Sequence, residues 1–274
     1  MNIHKHLKIS NLLKIFAVIA VYICTMVLLR SDVSAQGTTS AQSVVILRYN
    51  SIDQGDGTVS VESFEQDVRY LTNMGYTPVF VSDIAKALKD GGELPKKSVA
   101  LLIDGYSAGC SGKVGKIIEQ YCFKATVCVY GKQTEYSSNS ADTGEKYLRW
   151  SEITDLNQKD CFEFANGGFS LLQDKSAIQR EGEDFDSYRS RMIRDIYDMQ
   201  QLFIENCGFE PVIFTFAQGC ENDSLIRILG HSDFLGAVGT QEGSIELYGK
   251  NRSQRRYMKC IERNKDDEIE DIIK

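Results

Sequence analysis

Hydrophobic and polar positions divide the chain into alternating short apolar runs and longer stretches of helical period. Val44 to Tyr49 reads as a strand, broken by Gly55 and Gly57. Ser60 opens a helix whose Phe64, Val68 and Leu71 repeat at the spacing of one buried face, and Gly75 ends it. Thr77 to Val81 is a short strand. Ser82 caps a helix bearing Ile84, Ala85 and Leu88, which Gly91 and Gly92 stop. Ser98 to Ile103 and Lys124 to Tyr130 are continuous apolar strands, as expected where both faces are covered. Lys113 to Tyr121 is the helix between them.

A Ser/Asn/Gly-rich loop is expected over 131–145, then a short helix from Trp150 to Leu156 and a strand from Cys161 to Ala165. Phe185 to Glu205 is a long helix with Tyr188, Met192, Ile196, Met199 and Phe203 on one face. The acids Glu183, Asp184 and Asp186 favour its positive end. Strand 212–216, helix 222–229 and strand 234–238 follow. The charged end from Lys265 reads as frayed or weakly helical. Strands alternating with helices over short connections imply parallel strands with right-handed crossovers, in an open sheet or a closed barrel. In either, ligands sit beyond the carboxyl ends of the strands. The positions to inspect are Arg48-Tyr49-Asn50, Asp104-Gly105-Tyr106, Tyr130-Gly131, Asn166-Gly167-Gly168 and Ala217-Gln218-Gly219.

Residues 1–35 are different material. Lys5, Lys8 and Lys14 precede an uncharged run from Ile15 to Leu29, and Val33-Ser34-Ala35 fits an export cleavage site before Gln36. The run is long for a signal peptide and short for a full span, so removal and retention as a membrane anchor both remain open. Both readings put Gln36 onward outside the cytoplasmic membrane, secreted or anchored to its outer face, with residues 36–43 as a linker.

The formal charge of the 274 residues is −7. Residues 1–35 hold four basic residues and one acid, so the remainder carries −10. That balance argues against a nucleic-acid or general polyanion binder. Seven of the eight cysteines lie beyond the apolar run. The absence of any CxxC pair argues against a zinc ribbon.

The order of several motifs resembles the polysaccharide deacetylase (NodB-homology) family of carbohydrate esterases. The resemblance spans 44–262, with 263–274 as a charged tail. Leu47-Arg48-Tyr49-Asn50 follows the family's opening strand. Phe64 to Tyr76 follows its first helix, and Leu94-Pro95 its linker. Leu102-Ile103-Asp104-Gly105-Tyr106 falls on its metal motif, and Phe123-Lys124-Ala125-Thr126 and Tyr147 to Ile153 on later segments. The resemblance implies an incomplete (β/α) barrel of mainly parallel strands.

It also implies which residues should act, and here the chain departs. The family's base and metal-ligand pair reads Ile103-Asp104, so Asp104 is the sole surviving ligand position. Its two metal histidines fall at Gly167 and Leu171, which carry no ligand atom. Its Pro-Tyr motif is replaced by Ala217-Gln218. Metal-assisted deacetylation needs an activated water, a base and an acid. Beyond the apolar run the chain has one histidine, His231, so no intact metal site and no cofactor are expected; zinc enters only if the chain is an unorthodox deacetylase.

For Asp104 both readings stand: a metal held with carbonyls and water, or bonds to backbone N–H groups in the Gly105 turn. Tyr49, Asn50, Asp104, Tyr106, Asn166, Phe169 and Gln218 are the residues expected around the groove mouth. The Gly167-Gly168 stretch either admits a glycan close to the backbone or fills a turn. The resemblance also places Cys110 and Cys220 across the groove, where a disulfide would tie two loops; free thiols, or a pair among Cys122, Cys161 and Cys207, are the alternatives. The expected function is a domain at the cell envelope without the family's chemistry that binds polysaccharide, peptidoglycan or a protein partner. A weak or unorthodox deacetylase and a regulatory partner of an active enzyme are the other readings.

Overall fold

The computed structural model describes residues 42–52, 58–104, 108–140, 147–172 and 177–273, with the side chains of 108–111 excepted. The expected signal peptide or anchor, most of the linker, Tyr106 and the Cys110 side chain lie outside the described residues. The elements run β1 (Gln42–Tyr49), α1 (Val61–Asn73), β2 (Thr77–Pro78), α2 (Val81–Asp90), β3 (Ser98–Ile103), α3 (Ala108–Gln120), β4 (Ala125–Val129) and α4 (Gly131–Asn139). They continue with α5 (Trp150–Asn157), β5 (Phe162–Asn166), α6 (Phe185–Cys207), β6 (Ile213–Thr215), α7 (Asp223–Leu229) and β7 (Gly236–Glu242). The last are β8 (Ile245–Leu247), α8 (Arg252–Arg256), β9 (Met258–Glu262) and α9 (Ile269–Ile272).

Seven strands close a ring. β1 pairs in parallel with β3, and the ladder continues through β4, β5, β6, β7 and β9 back to β1. This is the (β/α) barrel expected, with seven strands. The two apolar strands β3 and β4 are parallel neighbours, Leu101 facing Ala125 and Ile103 facing Val127. β2 adds to β3, and β8 lies antiparallel on the start of β1.

Alternation along each strand sorts side chains between the barrel interior and the helix layer. Along β1, Leu47 and Tyr49 face outward. Tyr49 meets Phe64 of α1 edge to face, with ring centroids 5.1 Å apart. Ser60 caps α1 by accepting from the N–H of Ser63 at 3.0 Å, and the expected stripe Phe64, Val68 and Leu71 is buried. Val44 and Ile46 belong with Ala100 and Leu102 in the other apolar cluster, on the interior side.

Three expectations change. The loop expected over 131–145 begins as helix α4. Its buried face is Gly131, Thr134 and Ser137, so a helical stripe is present but built of small polar residues. Strands β8 and β9 were not apparent, because polar residues interrupt both. The charged end is docked: Arg263 pairs with Asp67, and Ile269 and Ile273 are buried against the outer cluster.

Candidate functional site

The carboxyl ends of the barrel strands carry a buried ionic centre. Arg48 follows Val44 and Ile46 on the inward face of β1, and its side chain is 1% exposed. Its Nε donates to Asp104 Oδ2 at 3.0 Å and its Nη2 donates to the same oxygen. Nη2 also donates to the carbonyl of Phe216 at 2.7 Å, and Nη1 to that of Gly239 at 3.2 Å. The guanidinium therefore ties β1 to the end of β3, to the chain after β6 and to β7. The Tyr130 hydroxyl donates to the other Asp104 oxygen at 2.5 Å. Burial alone would lower the Arg48 pKa, but the Asp104 carboxylate outweighs it and Arg48 is held above its ordinary value. Burial, then the Asp104 charge, pushes Tyr130 well up, so its hydroxyl stays a donor.

Among the described residues, both Asp104 oxygens accept hydrogen bonds, one from Arg48 and the other from Tyr130; the Gly105 turn lies outside the described residues. Ile103, expected at the family's base position, is fully buried in the layer beneath the helices. The Tyr130 ring fills the space beside Gly167. A Cβ at 167 would meet that ring at 2.5 Å and the Cys128 sulfur at 2.8 Å. A histidine could not stand there without displacing them. Leu171 is buried in the apolar cluster, and Ala217 is 2% exposed.

The groove residues separate into two groups. Tyr49 was expected at the mouth but is fully buried, because strand alternation turns it outward beneath α1. Its hydroxyl donates to Asp67 Oδ2 at 3.1 Å, and Arg263 closes that network at 2.9 Å. Asn166 is also fully buried. Its amide donates to the Ile196 carbonyl at 3.2 Å and to Gln200 at 2.9 Å, while its Oδ1 accepts from the N–H of Gly168 at 2.7 Å. Asn166 thus shapes the Gly167-Gly168 turn. Gly168 has φ +86°, the left-handed region that favours glycine. Phe169 is half-buried, and its backbone N–H is held by Asp195 at 2.8 Å.

Asn50 and Gln218 do meet at the mouth, through a residue the motif comparison did not single out. Glu262, at the end of β9, accepts from the Asn50 amide on Oε1 and from the Gln218 amide on Oε2, the latter at 2.7 Å. Its neighbour in register on β1 is Arg48. The signal that marks it in sequence is its place at the end of a strand, but that strand was itself not legible.

His231 lies far from this centre in the topology. It precedes β7, at the amino ends of the strands, and its Nδ1 lies 2.8 Å from the Arg227 carbonyl. It lines an outer-wall cavity of about 700 Å³ between α6 and α7, with Arg227, Tyr197 and Phe234. The expected tie between Cys110 and Cys220 is not formed. Cys220 is a free thiol donating to the Leu171 carbonyl at 2.6 Å, and burial raises its pKa. Cys122, Cys161 and Cys207 are free as well.

Residues 91–234 match the sequence profile of the polysaccharide deacetylase family, and the chain belongs to that family. No curated protein sequence matches it. Among solved structures it is similar to the Streptococcus pyogenes deacetylase PplD in complex with acetate, at 17% identity and a TM-score of 0.68, covering 86% of this chain and 100% of that one. A de-N-acetylase from Aggregatibacter actinomycetemcomitans also gives 17% and 0.68, covering 80% and 94%. A polysaccharide deacetylase from Bacillus cereus gives 16% and 0.65, covering 85% and 70%. At these identities the likeness carries the barrel fold alone.

Proposed function

We propose that this chain binds polysaccharide at the cell envelope and does not carry out the metal-dependent deacetylation of its family. The observation that carries the reading is the Arg48 guanidinium seated on Asp104. A cation already neutralises the one carboxylate left at the metal position. Tyr130 takes that carboxylate's second oxygen, and its ring fills the space a ligand at position 167 would need. The described residues do not fit a catalytic metal, which takes three protein ligands and keeps a position open for water. Ile103 supplies no base. The polar mouth formed by Asn50, Glu262 and Gln218 remains available for sugar hydroxyls.

The reading includes an exported domain, secreted or held at the outer face of the membrane by residues 1–35, whose sequence supports it. The test combines two measurements on the purified full chain. One is acetyl release from N-acetylated polysaccharide with zinc or cobalt added. The other is binding of the same polysaccharide by calorimetry or sedimentation. Binding without acetyl release is expected. Metal-dependent release that Asp104→Asn abolishes would overturn the reading.

A further inference from the structure

The charges at the mouth differ from those beneath it. Asp104 is neutralised by Arg48, so the buried centre is electrically balanced. Glu262, in register with Arg48 on the neighbouring strand, is not. Both of its oxygens accept hydrogen bonds, but from the neutral amides of Asn50 and Gln218, and no ion pair reaches it among the described residues. Each carboxylate oxygen keeps further lone-pair capacity after one such bond. Among the described residues, no donor faces the buried Oδ1 of Asn50. Gln218 is exposed, so the group opens to solvent on that side.

From this we infer that the mouth selects a cationic amino sugar, a glycan unit carrying a free ammonium, over its N-acetylated form. The inference rests on the polysaccharide-binding reading and names the form recognised. An ammonium brings three donors and a positive charge to a half-buried carboxylate that has no ion pair among the described residues. An acetamide brings one N–H donor, no charge and a methyl group, and leaves the carboxylate without a counter-charge. The two amides hold Glu262 from opposite oxygens, fixing the carboxylate without neutralising it. The net charge of −10 beyond residue 35 also favours a cationic polymer over a neutral one at long range.

The test measures binding of two oligosaccharides of equal length to the full chain, one of β-1,4-linked glucosamine and one of N-acetylglucosamine, at low and high salt. The glucosamine oligomer is expected to bind about tenfold more tightly, equivalent to about 1.4 kcal/mol, and the preference should shrink as salt is added. Glu262→Gln keeps one acceptor and removes the charge, so it should abolish the preference. Asn50→Ala should weaken binding of the glucosamine oligomer in the same direction. Equal or tighter binding of the acetylated oligomer overturns this inference and leaves the polysaccharide reading standing. A preference that survives Glu262→Gln overturns it as well. Binding of neither oligomer overturns this inference and counts against the polysaccharide reading too.

Discussion

Replacing Arg48 with methionine would leave the Asp104 carboxylate buried without a counter-charge. Breaking a buried pair from one side costs about 3–5 kcal/mol, because the remaining charge has lost its solvent and gained nothing. The same reasoning makes the double replacement milder. With Arg48→Met and Asp104→Asn together no buried charge is stranded, and Tyr130 still has an acceptor. Denaturant unfolding of the two single variants and the double should therefore show strong non-additivity, the double recovering at least half of the Arg48→Met loss. A fully additive cycle would mean the pair is not coupled. Asp104 stood out in the sequence as the residue surviving at a metal position. Its partner was harder to see. An arginine in Val-Ile-Leu-Arg-Tyr looks like a strand-end residue reaching solvent, and only the inward parity shared with Val44 and Ile46 places it in the barrel. The same parity explains Tyr49: one residue along, it faces the helix layer and cannot line a groove.

At the scale of elements, polar cross-links do work that apolar periodicity does not reveal. Glu163 on β5 accepts from the Thr126 hydroxyl on β4 at 2.6 Å and from the backbone N–H of Ser82 at the start of α2 at 3.1 Å. Thr126 in turn accepts from the N–H of Val81 at 3.1 Å. Two strands and a helix start are joined by one carboxyl group. Burial raises the Glu163 pKa above the ordinary value of 4.5, and the bonds from Ser82 and Thr126 only partly offset this. The folded state thus holds this proton to higher pH than the unfolded state. The resulting stability is fully present below the ordinary carboxylate value and is lost as pH rises through the folded value. Glu163→Gln keeps an acceptor and removes the titration. Its stability relative to the parent should rise as pH increases from about 4 to 7. A difference that stays flat across that window would show that Glu163 does not titrate abnormally. Elements with apolar stripes, such as α1 and α6, were legible from residue type alone. Helix α4 was not, because its buried face of Gly131, Thr134 and Ser137 carries the right period in residues that also mark loops.

For the whole molecule, the question is what holds the open end of the barrel together. Ring closure depends on β9 entering between β7 and β1, a contact of high sequence separation that local pattern cannot announce. The parallel alternation was enough to expect strands and crossovers, and the motif order to expect a barrel; the closing strand, with Lys259 and Glu262 in it, read as neither. Once closed, the ring is tied across its top by one guanidinium, which bonds to Asp104, Phe216 and Gly239. A site that bound a metal only in the folded state would stabilise the protein by about 2.7 kcal/mol when the free metal is a hundredfold above its Kd. For a domain of this size that corresponds to a rise of about 5–10 °C in Tm. On the proposed reading the cation is covalently part of β1, so folding would supply it at any metal concentration. Thermal unfolding of the full chain should give the same midpoint in excess chelator and in excess zinc. It should fall in both by a like amount when Arg48 is replaced by methionine. A midpoint that climbs several degrees with zinc and falls back with chelator would show that metal, not Arg48, completes the centre.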